Sequence, residues 1–261
     1  MPVRVGILGF GAIGRSVVEL LLERKEEFNL VGFSDVERVD ETPIPQLPVE
    51  EMIQASDIVV EVASHAAVRQ YALQIIESGT DLLIVSVGAL ADRFLEEKLL
   101  AAGPGNLIIC TGALGGIDYI QAAKLLGEID EISLTSTKKP AVLSQPWMED
   151  SLQEKLAAGD ERVVVFEGNA REAAEAFPKS SNVSATLALT VGSWDTVKVR
   201  VVGDPAAKQT KHQIHLSGEV GESVFEVNSL PSAINPATSS VVPYSVVKAL
   251  KTAHGSGYKI M

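Results

Sequence analysis

Three glycines near the start of the chain have a spacing that suits dinucleotide binding. Gly9, Gly11 and Gly14 lie between an apolar, strand-like run and a helical pattern. In such a turn the first glycine permits a tight bend, the second lets the backbone approach a pyrophosphate, and the third allows close packing of helix and strand. The pyrophosphate would lie at the start of the helix, near Ala12 and Ile13, where free N–H groups and the helix dipole attract anions.

A carboxylate follows at the distance expected for a group that binds a ribose. Asp35 lies directly at the end of the next predicted strand, residues 30–34, about twenty residues beyond the turn. An acid there would hold the ribose hydroxyls and repel a 2′-phosphate, so the pattern favours NAD over NADP. Arg38 lies close enough to leave NADP as a second possibility. The alternative is a glycine turn in a Rossmann-like domain that binds no nucleotide.

Small residues end two further predicted strands, at the edge where open α/β sheets bind their ligands. Ala63 and Ser64 end one strand, and Ser86 and Gly88 end the next. We expect their backbones to approach the nicotinamide ribose. Ser64 is the predicted N-cap of the helix that follows, and we interpret the neighbouring His65 as a solvated cap residue rather than as a catalyst.

Two histidines of a later strand could transfer protons, because the unperturbed pKa of histidine is near neutral pH. The alternation of a strand places His212 on the same face as Ile214 and Leu216, and His215 on the opposite, polar face. This pattern alone favours a structural role for His212, since a histidine aligned with core residues is usually part of the core.

An anionic substrate would need a local cluster of positive charge, because the chain carries a net charge of −12. Lys139, at the end of a predicted strand, is the first candidate for this role, and Lys138 is the next. Both could equally be ordinary solvated lysines. Ser181 and Asn182 begin a helical pattern, where they could cap the helix or meet an anion.

The pattern of elements predicts a parallel sheet in the first part of the chain. Strand-like runs alternate with helical patterns at residues 65–78 and 91–102, which is typical of an α/β Rossmann fold. The predicted strands are residues 3–8, 30–34, 57–63, 81–88 and 106–112. We interpret residues 36–48 as irregular and residues 1–112 as the nucleotide-binding domain.

A second α/β domain with a mainly antiparallel sheet is predicted at residues 113–238. Its last strands follow one another closely, and residues 218–221 form a predicted hairpin turn. The predicted strands are residues 131–139, 162–167, 196–204, 212–218 and 223–228. The remaining segment, at about residues 239–261, has helical character and is expected to pack back onto the first domain.

Composition excludes several classes of protein. The net charge of −12 argues against nucleic acid or an anionic membrane as a partner. No apolar run is long enough for a transmembrane helix, and the chain begins without a signal peptide. The single cysteine, Cys110, fits a reducing compartment and a core position, so we expect a cytoplasmic protein. No His, Cys or carboxylate spacing predicts a metal site.

Several longer motifs give the chain a resemblance to the L-aspartate dehydrogenases over its full length. They are found at residues 9–14, 61–64, 86–90, 112–118, 179–186, 212–218 and 235–239. The family resemblance implies a Rossmann domain, a second α/β domain that carries substrate groups, and a homodimer. It also implies that Ala113 and Asn182 contact NAD and that His212 is the active-site histidine. The pair Lys138 and Lys139 stands where many members have arginine followed by lysine, so Lys138 departs from the family pattern but keeps the charge.

The resemblance implies the reversible, NAD- or NADP-dependent conversion of L-aspartate, through iminoaspartate, to oxaloacetate and ammonia. Such enzymes can feed iminoaspartate into NAD synthesis. His212 would then act as the base, Lys139 and Ser181 would bind substrate, and the residues at the strand ends would hold the cofactor. Two alternatives stay open because a fold does not fix a substrate: an NAD-linked reductase of another imino or keto acid, and a non-catalytic NAD-sensing protein.

Overall fold

The computed structural model describes residues 1–178, 180–232 and 238–255. The strands are β1 (Val3–Leu8), β2 (Phe28–Ser34), β3 (Ile58–Glu61), β4 (Asp81–Ile84), β5 (Leu107–Ile109), β6 (Ile129–Lys138), β7 (Val163–Asn169), β8 (Val197–Gly203), β9 (Thr210–Gly218) and β10 (Gly221–Ser229). The helices are α1 (Ala12–Leu22), α2 (Val49–Ala55), α3 (His65–Glu77), α4 (Arg93–Ala101), α5 (Ile117–Leu126), α6 (Asp150–Ala158), α7 (Ala170–Ala176), α8 (Asn182–Val191) and α9 (Val242–His254). Short 3-10 helices cover Val87–Ala91 and Pro140–Val142.

The chain divides into two compact units. One is Met1–Gly112 with the described part of Val242–Met261, and the other is Ala113–Val241. The motif positions 179 and 235–237, and the end of the predicted last helix at residues 256–261, lie outside the described residues. No helix in the described ranges is both long and apolar enough to cross a membrane.

The first unit contains the predicted parallel sheet, with strand order β2-β1-β3-β4-β5. Val5, Ile7 and Val59 are fully buried, as expected for strands that are covered on both faces. Helix α9 packs against α1 in this unit, and the Lys251 ammonium lies 3.0 Å from a carboxylate oxygen of Glu27.

Strands β3 and β4 end earlier than the sequence predicts, at Glu61 and Ile84 instead of residues 63 and 88. The cause is the carboxylate of Glu61. It accepts hydrogen bonds from the backbone N–H groups of Ala63, Ser64 and Ser86, which therefore do not take part in a strand ladder. After Ser86 the chain coils into the 3-10 helix Val87–Ala91.

The second unit contains a mixed sheet with strand order β10-β9-β6-β8-β7. Neighbouring strands are antiparallel except β6 and β8, so the prediction of a mainly antiparallel sheet is confirmed. The predicted hairpin turn joins β9 to β10, and its register pairs Gly218 with Gly221. One face of this sheet buries the apolar residues of β6, β8 and β9, and α8 packs against β8.

Four helices of the structure were not predicted, namely α2, α5, α6 and α7. They are only seven to ten residues long, so a helical period has few turns in which to show itself. For α7 a local signal exists. The Asn169 side chain accepts from the N–H of Glu172, and the Glu172 carboxylate accepts from the N–H of Asn169, which is a capping box.

Candidate active site

The glycine turn of the first unit has the shape that a bound pyrophosphate requires. Gly9 has a φ of 101°, and a side chain there would collide with Ala63. A side chain on Gly14 would collide with the carbonyl oxygen of Gly9, so this glycine allows the close approach of α1 to the turn. A Cβ atom on Gly11 would have no described atom within 4 Å, which leaves space beside the backbone of the turn.

The start of α1 lies in this turn with its first N–H groups uncapped by a side chain. Gly11 is the N-cap residue, the helix begins at Ala12, and its first turn contains no acidic residue. Such an end carries partial positive charge and attracts phosphate oxygens. Beneath it the Phe10 ring stacks on Phe33 at 4.0 Å between centroids. The open space at Gly11 and the uncapped helix end fit a dinucleotide.

The carboxylate of Asp35 is bound to the turn. It follows the last residue of β2, accepts from the N–H of Phe10 at 2.6 Å, and accepts from the N–H of Glu37 at 3.0 Å. Each carboxylate oxygen can accept further bonds. Arg38 pairs with Asp40 at 3.2 Å and is largely exposed. The assignment of Asp35 to the ribose stays a prediction.

The loops after β3 and β4 are joined by a buried carboxylate to which our sequence analysis assigned no role. Glu61 is fully buried, and its oxygens accept from the N–H groups of Ala63 and Ser64 and from both the N–H and the hydroxyl of Ser86, at 2.8 to 3.0 Å. Burial raises the pKa of Glu61, and these donors oppose the shift. A charged residue at the end of an apolar strand was the available signal.

The predicted site residues of these two loops differ in burial and hydrogen bonding. The Ser64 hydroxyl accepts from the N–H of Ala67 and caps α3, as predicted. His65 is buried at the first position of that helix, so the expectation of a solvated side chain was wrong. Gly88 is buried in the 3-10 helix after Ser86. Whether Ala63, Ser64, Ser86 and Gly88 contact the cofactor stays a prediction.

In the second unit, His212 is buried beside a hydroxyl group. The β6–β9 register places Ser136 directly opposite His212, and Ser136 Oγ lies 2.9 Å from His212 Nδ1. His212 is only 4% exposed, on the same face as Ile214 and Leu216. His215 is half-buried on the opposite face, with Nε2 2.9 Å from Glu222. Burial, with a smaller effect of the Lys138 charge, lowers the pKa of His212 to about 3, so its imidazole is neutral at neutral pH.

Lys138 is a buried cation without an acidic partner among the described residues. It ends β6 two positions beyond Ser136 and is only 6% exposed. Its Nζ donates one long hydrogen bond, of 3.4 Å, to the carbonyl oxygen of Ser180. Burial lowers the pKa of Lys138 to about 8. A buried ammonium with unused donors is suited to binding an anionic group.

The other predicted site residues of this unit differ in burial and position. Lys139, the first candidate for the substrate cation, is exposed just beyond the strand end. Ser181 is buried, and its hydroxyl lies 2.7 Å from the hydroxyl of Ser184 at the start of α8. Asn182 is partly buried at the first position of that helix, and Ala113 is buried after Gly112. Their roles stay predictions.

The sequence pattern contained a signal for Ser136 and Lys138 that we did not use. Both lie on the face of β6 that carries the core residues Ile132 and Leu134, as alternation in the strand requires. Polar residues in such a row are buried and need partners.

In the described ranges no group of three histidine, cysteine or acidic side chains could hold a metal ion.

Comparison with known proteins identifies both parts of the chain. Residues 9–106 match the family model described as homoserine dehydrogenase, NAD binding domain. Residues 118–253 match the model described as aspartate dehydrogenase, C-terminal. The chain belongs to the L-aspartate dehydrogenase family.

Relatives of this family match nearly the full chain. The L-aspartate dehydrogenase of Methanosarcina barkeri is 33% identical over 95% of this chain and 96% of its own length. That of Ralstonia pickettii is 35% identical over 94% of this chain and 96% of its own length. The crystal structure of aspartate dehydrogenase from Thermotoga maritima has a TM-score of 0.78 and 28% identity, and covers 100% of this chain and 99% of that one.

These matches confirm several predictions for this aspartate dehydrogenase family member. The Rossmann fold of the first unit, the second α/β domain and the class of oxidoreductase are confirmed. The predicted cofactor, NAD or NADP, is confirmed by the NAD-binding domain at residues 9–106. The preference between the two cofactors and the residue roles are treated as proposals below.

Substitution of Gly11 should lower the affinity for the cofactor without lowering the stability of the fold. We expect Gly11→Ala to leave the thermal midpoint nearly unchanged, because its Cβ would meet no described atom within 4 Å and its φ of −74° is allowed for alanine. The methyl group would occupy the space assigned to the pyrophosphate. NADH affinity, measured by fluorescence titration, should fall roughly tenfold, or about 1.4 kcal/mol.

Gly14→Ala is the matched control, since its Cβ would collide with the carbonyl oxygen of Gly9. This variant should lose both thermal stability and NADH affinity. Unchanged NADH affinity in Gly11→Ala would refute the proposed position of the pyrophosphate.

Proposed function

We propose that the chain catalyses the reversible oxidative deamination of L-aspartate, through iminoaspartate, to oxaloacetate and ammonia, with NAD as the preferred cofactor. The observation that carries the proposal is the pair of buried polar side chains in the second unit, a neutral His212 and a Lys138 cation without an acidic partner among the described residues. Relatives named L-aspartate dehydrogenase support it.

The first unit would hold the cofactor through its turn and strand ends. When bound, NAD supplies the hydride acceptor for the α-carbon of the substrate. Asp35 would accept from the ribose hydroxyls and disfavour a 2′-phosphate, which is the reason for preferring NAD over NADP. The remaining residues assigned to cofactor binding are Gly9, Gly11, Ala12, Ile13, Gly14, Ala63, Ser64, Ser86, Gly88, Ala113 and Asn182.

His212 would act as the base. In the tautomer required, Nδ1–H donates to Ser136 Oγ across the observed 2.9 Å, and Nε2 keeps its lone pair. Nε2 would take a proton from the substrate ammonium group and release it to solvent once the hydride has been transferred. It would then take a proton from the water that attacks the imine and pass it to the departing ammonia. Ser136 is then a positioning residue, because it fixes the tautomer and the orientation of the ring.

Lys138 would bind a carboxylate of the substrate. No acidic side chain among the described residues pairs with Lys138, and a bound carboxylate would be that partner. Lys138 donates to the carbonyl oxygen of Ser180, so the next residue, Ser181, would be a second polar contact for the substrate. We therefore favour Lys138 over Lys139, whose exposed ammonium is already solvated. Assembly as a homodimer and supply of iminoaspartate to NAD synthesis stay predictions from the family resemblance, and location in the cytoplasm stays a prediction from the single cysteine.

An assay of NADH oxidation with oxaloacetate tests the reaction. We expect the absorbance of NADH to fall only when both oxaloacetate and ammonium are present, since reduction of the imine needs ammonia as a substrate. Oxidation of NADH that is independent of ammonium, or that is faster with another keto acid, would favour a different reductase. Binding of NADH without turnover on any amino or keto acid would favour a nucleotide sensor.

A further inference from the structure

Glu61 is completely buried, and no basic side chain among the described residues neutralises its charge. It is the last residue of β3, with no exposed surface. Its hydrogen bonds come from three backbone N–H groups and one hydroxyl, and no lysine or arginine pairs with it among the described residues. Because backbone N–H groups only donate, these partners match the ionised carboxylate, which accepts at both oxygens.

The carboxylate lies at the edge of the sheet that carries the cofactor. The glycine turn follows β1, Asp35 follows β2 on one side of β1, and Glu61 ends β3 on the other side. A dinucleotide with its pyrophosphate at the turn and one ribose at Asp35 must extend its other half toward β3 and β4. The nicotinamide half therefore lies near the two loops that Glu61 holds.

The charge of the nicotinamide ring depends on its oxidation state. The ring carries one positive charge in NAD⁺ and none in NADH. A fixed negative charge in a low-dielectric setting attracts the cationic ring and has little effect on the neutral one. Accordingly, we propose that Glu61 is a positioning residue whose buried charge also favours the oxidised cofactor over the reduced one. This inference rests on the cofactor orientation proposed above.

Glu61→Gln tests the inference through two binding constants. The Kd of NADH is measured by fluorescence, and that of NAD⁺ by its competition with NADH. We expect the ratio Kd(NAD⁺)/Kd(NADH) to rise roughly tenfold, the effect of one unit charge at about 10 Å through an effective dielectric constant of about 20. A loss of loop order alone would weaken both complexes alike and leave the ratio unchanged.

Glu61→Asp is the matched control, because it keeps the charge and shortens the reach to the loops. Both affinities should fall in this variant, while the ratio stays within about twofold of the parent value. If Glu61→Gln does not fold, Glu61→Ala, which also removes the charge, takes its place: a raised ratio supports the inference, and an unchanged ratio overturns it.

Two further outcomes would overturn the inference. One is an unchanged ratio in folded Glu61→Gln, and the other is an equal rise in both variants. A parent protein that binds neither NAD⁺ nor NADH would refute the cofactor proposal and this inference with it. A parent that binds both, with no change of ratio in Glu61→Gln, refutes only the role of the Glu61 charge.

Discussion

Replacement of His212 by alanine is expected to reduce turnover at least about a hundredfold, the scale of a lost general base, and to leave the Kd of NADH within about twofold of the parent value. The imidazole is neutral because burial holds the pKa of His212 at about 3. It is therefore unprotonated before the reaction at any pH used in the assay, and the negative charge of a bound substrate would raise its pKa toward the range in which a base works. Initial rates with saturating oxaloacetate and ammonium, and fluorescence titration with NADH, measure the two effects.

His215→Ala is the matched control for this variant. His215 lies three residues further along β9, is half-buried on the opposite face and pairs with Glu222. Its loss should change turnover by less than about twofold, since exposed pairs contribute little and no reacting group is removed. Near-normal turnover in His212→Ala would refute the role of His212 as the base.

Replacement of Lys138 by methionine is expected to weaken substrate binding and to stabilise the protein. The KM for oxaloacetate should rise at least about thirtyfold, because truncating one partner of a buried charge pair costs about 2 kcal/mol or more. Stability should increase because the pKa of Lys138 is lowered from 10.5 to about 8. This shift corresponds to roughly 3 kcal/mol of unfavourable free energy for the folded ammonium form.

The pH dependence of that stability follows from the sign of the shift. Below pH 8 the lysine is protonated in the folded and unfolded states, so the penalty is fully present. Between about pH 8 and 10.5 the unfolded state binds more protons, so the free energy of unfolding of the parent rises with pH. The gain in Lys138→Met should therefore be largest below pH 8 and smaller above it, as chemical denaturation would show.

Lys138→Arg and Lys139→Ala complete the test. For the parent we expect kcat/KM to decline above about pH 8 as the ammonium is lost. Lys138→Arg should lack this part of the decline, because a guanidinium stays charged. Lys139→Ala removes an exposed neighbouring charge and should alter KM by less than about threefold. A larger rise of KM in Lys139→Ala than in Lys138→Met would restore Lys139 as the substrate cation.

Much of the first unit could be predicted from the sequence because its signals are local. The glycine turn, the apolar strands and the Ser64 cap each depend on neighbouring residues. The ends of β3 and β4 could not be predicted, since the Glu61 carboxylate that ends both strands acts on a loop 25 residues away. The helices α5 and α6 were missed because few of their residues are buried and so give a weak periodic pattern. Helix α7 was missed because its buried face consists of alanines in only two turns.

The candidate site of the second unit was predicted only in part. Alternation showed that His212 points inward, but its catalytic role came from the family resemblance. Its contact with Ser136 depends on the pairing of strands 76 residues apart in sequence, which no local pattern specifies. Lys139 was preferred to Lys138 because the predicted strand ended at residue 139, one residue beyond the end of β6. Successive side chains of a strand point to opposite faces, so this shift of one residue exchanged the buried lysine for the exposed one.

Identification of the product formed from oxaloacetate, ¹⁵N-ammonium and NADH tests the central claim most directly. Oxaloacetate, ammonium, NADH and a proton should yield aspartate, NAD⁺ and water, with one aspartate formed for each NADH consumed. We predict that chiral chromatography with mass detection will find ¹⁵N-labelled L-aspartate in that proportion, and that His212→Ala will abolish most of it. Malate as the product, or NADH loss without labelled aspartate, would contradict the account.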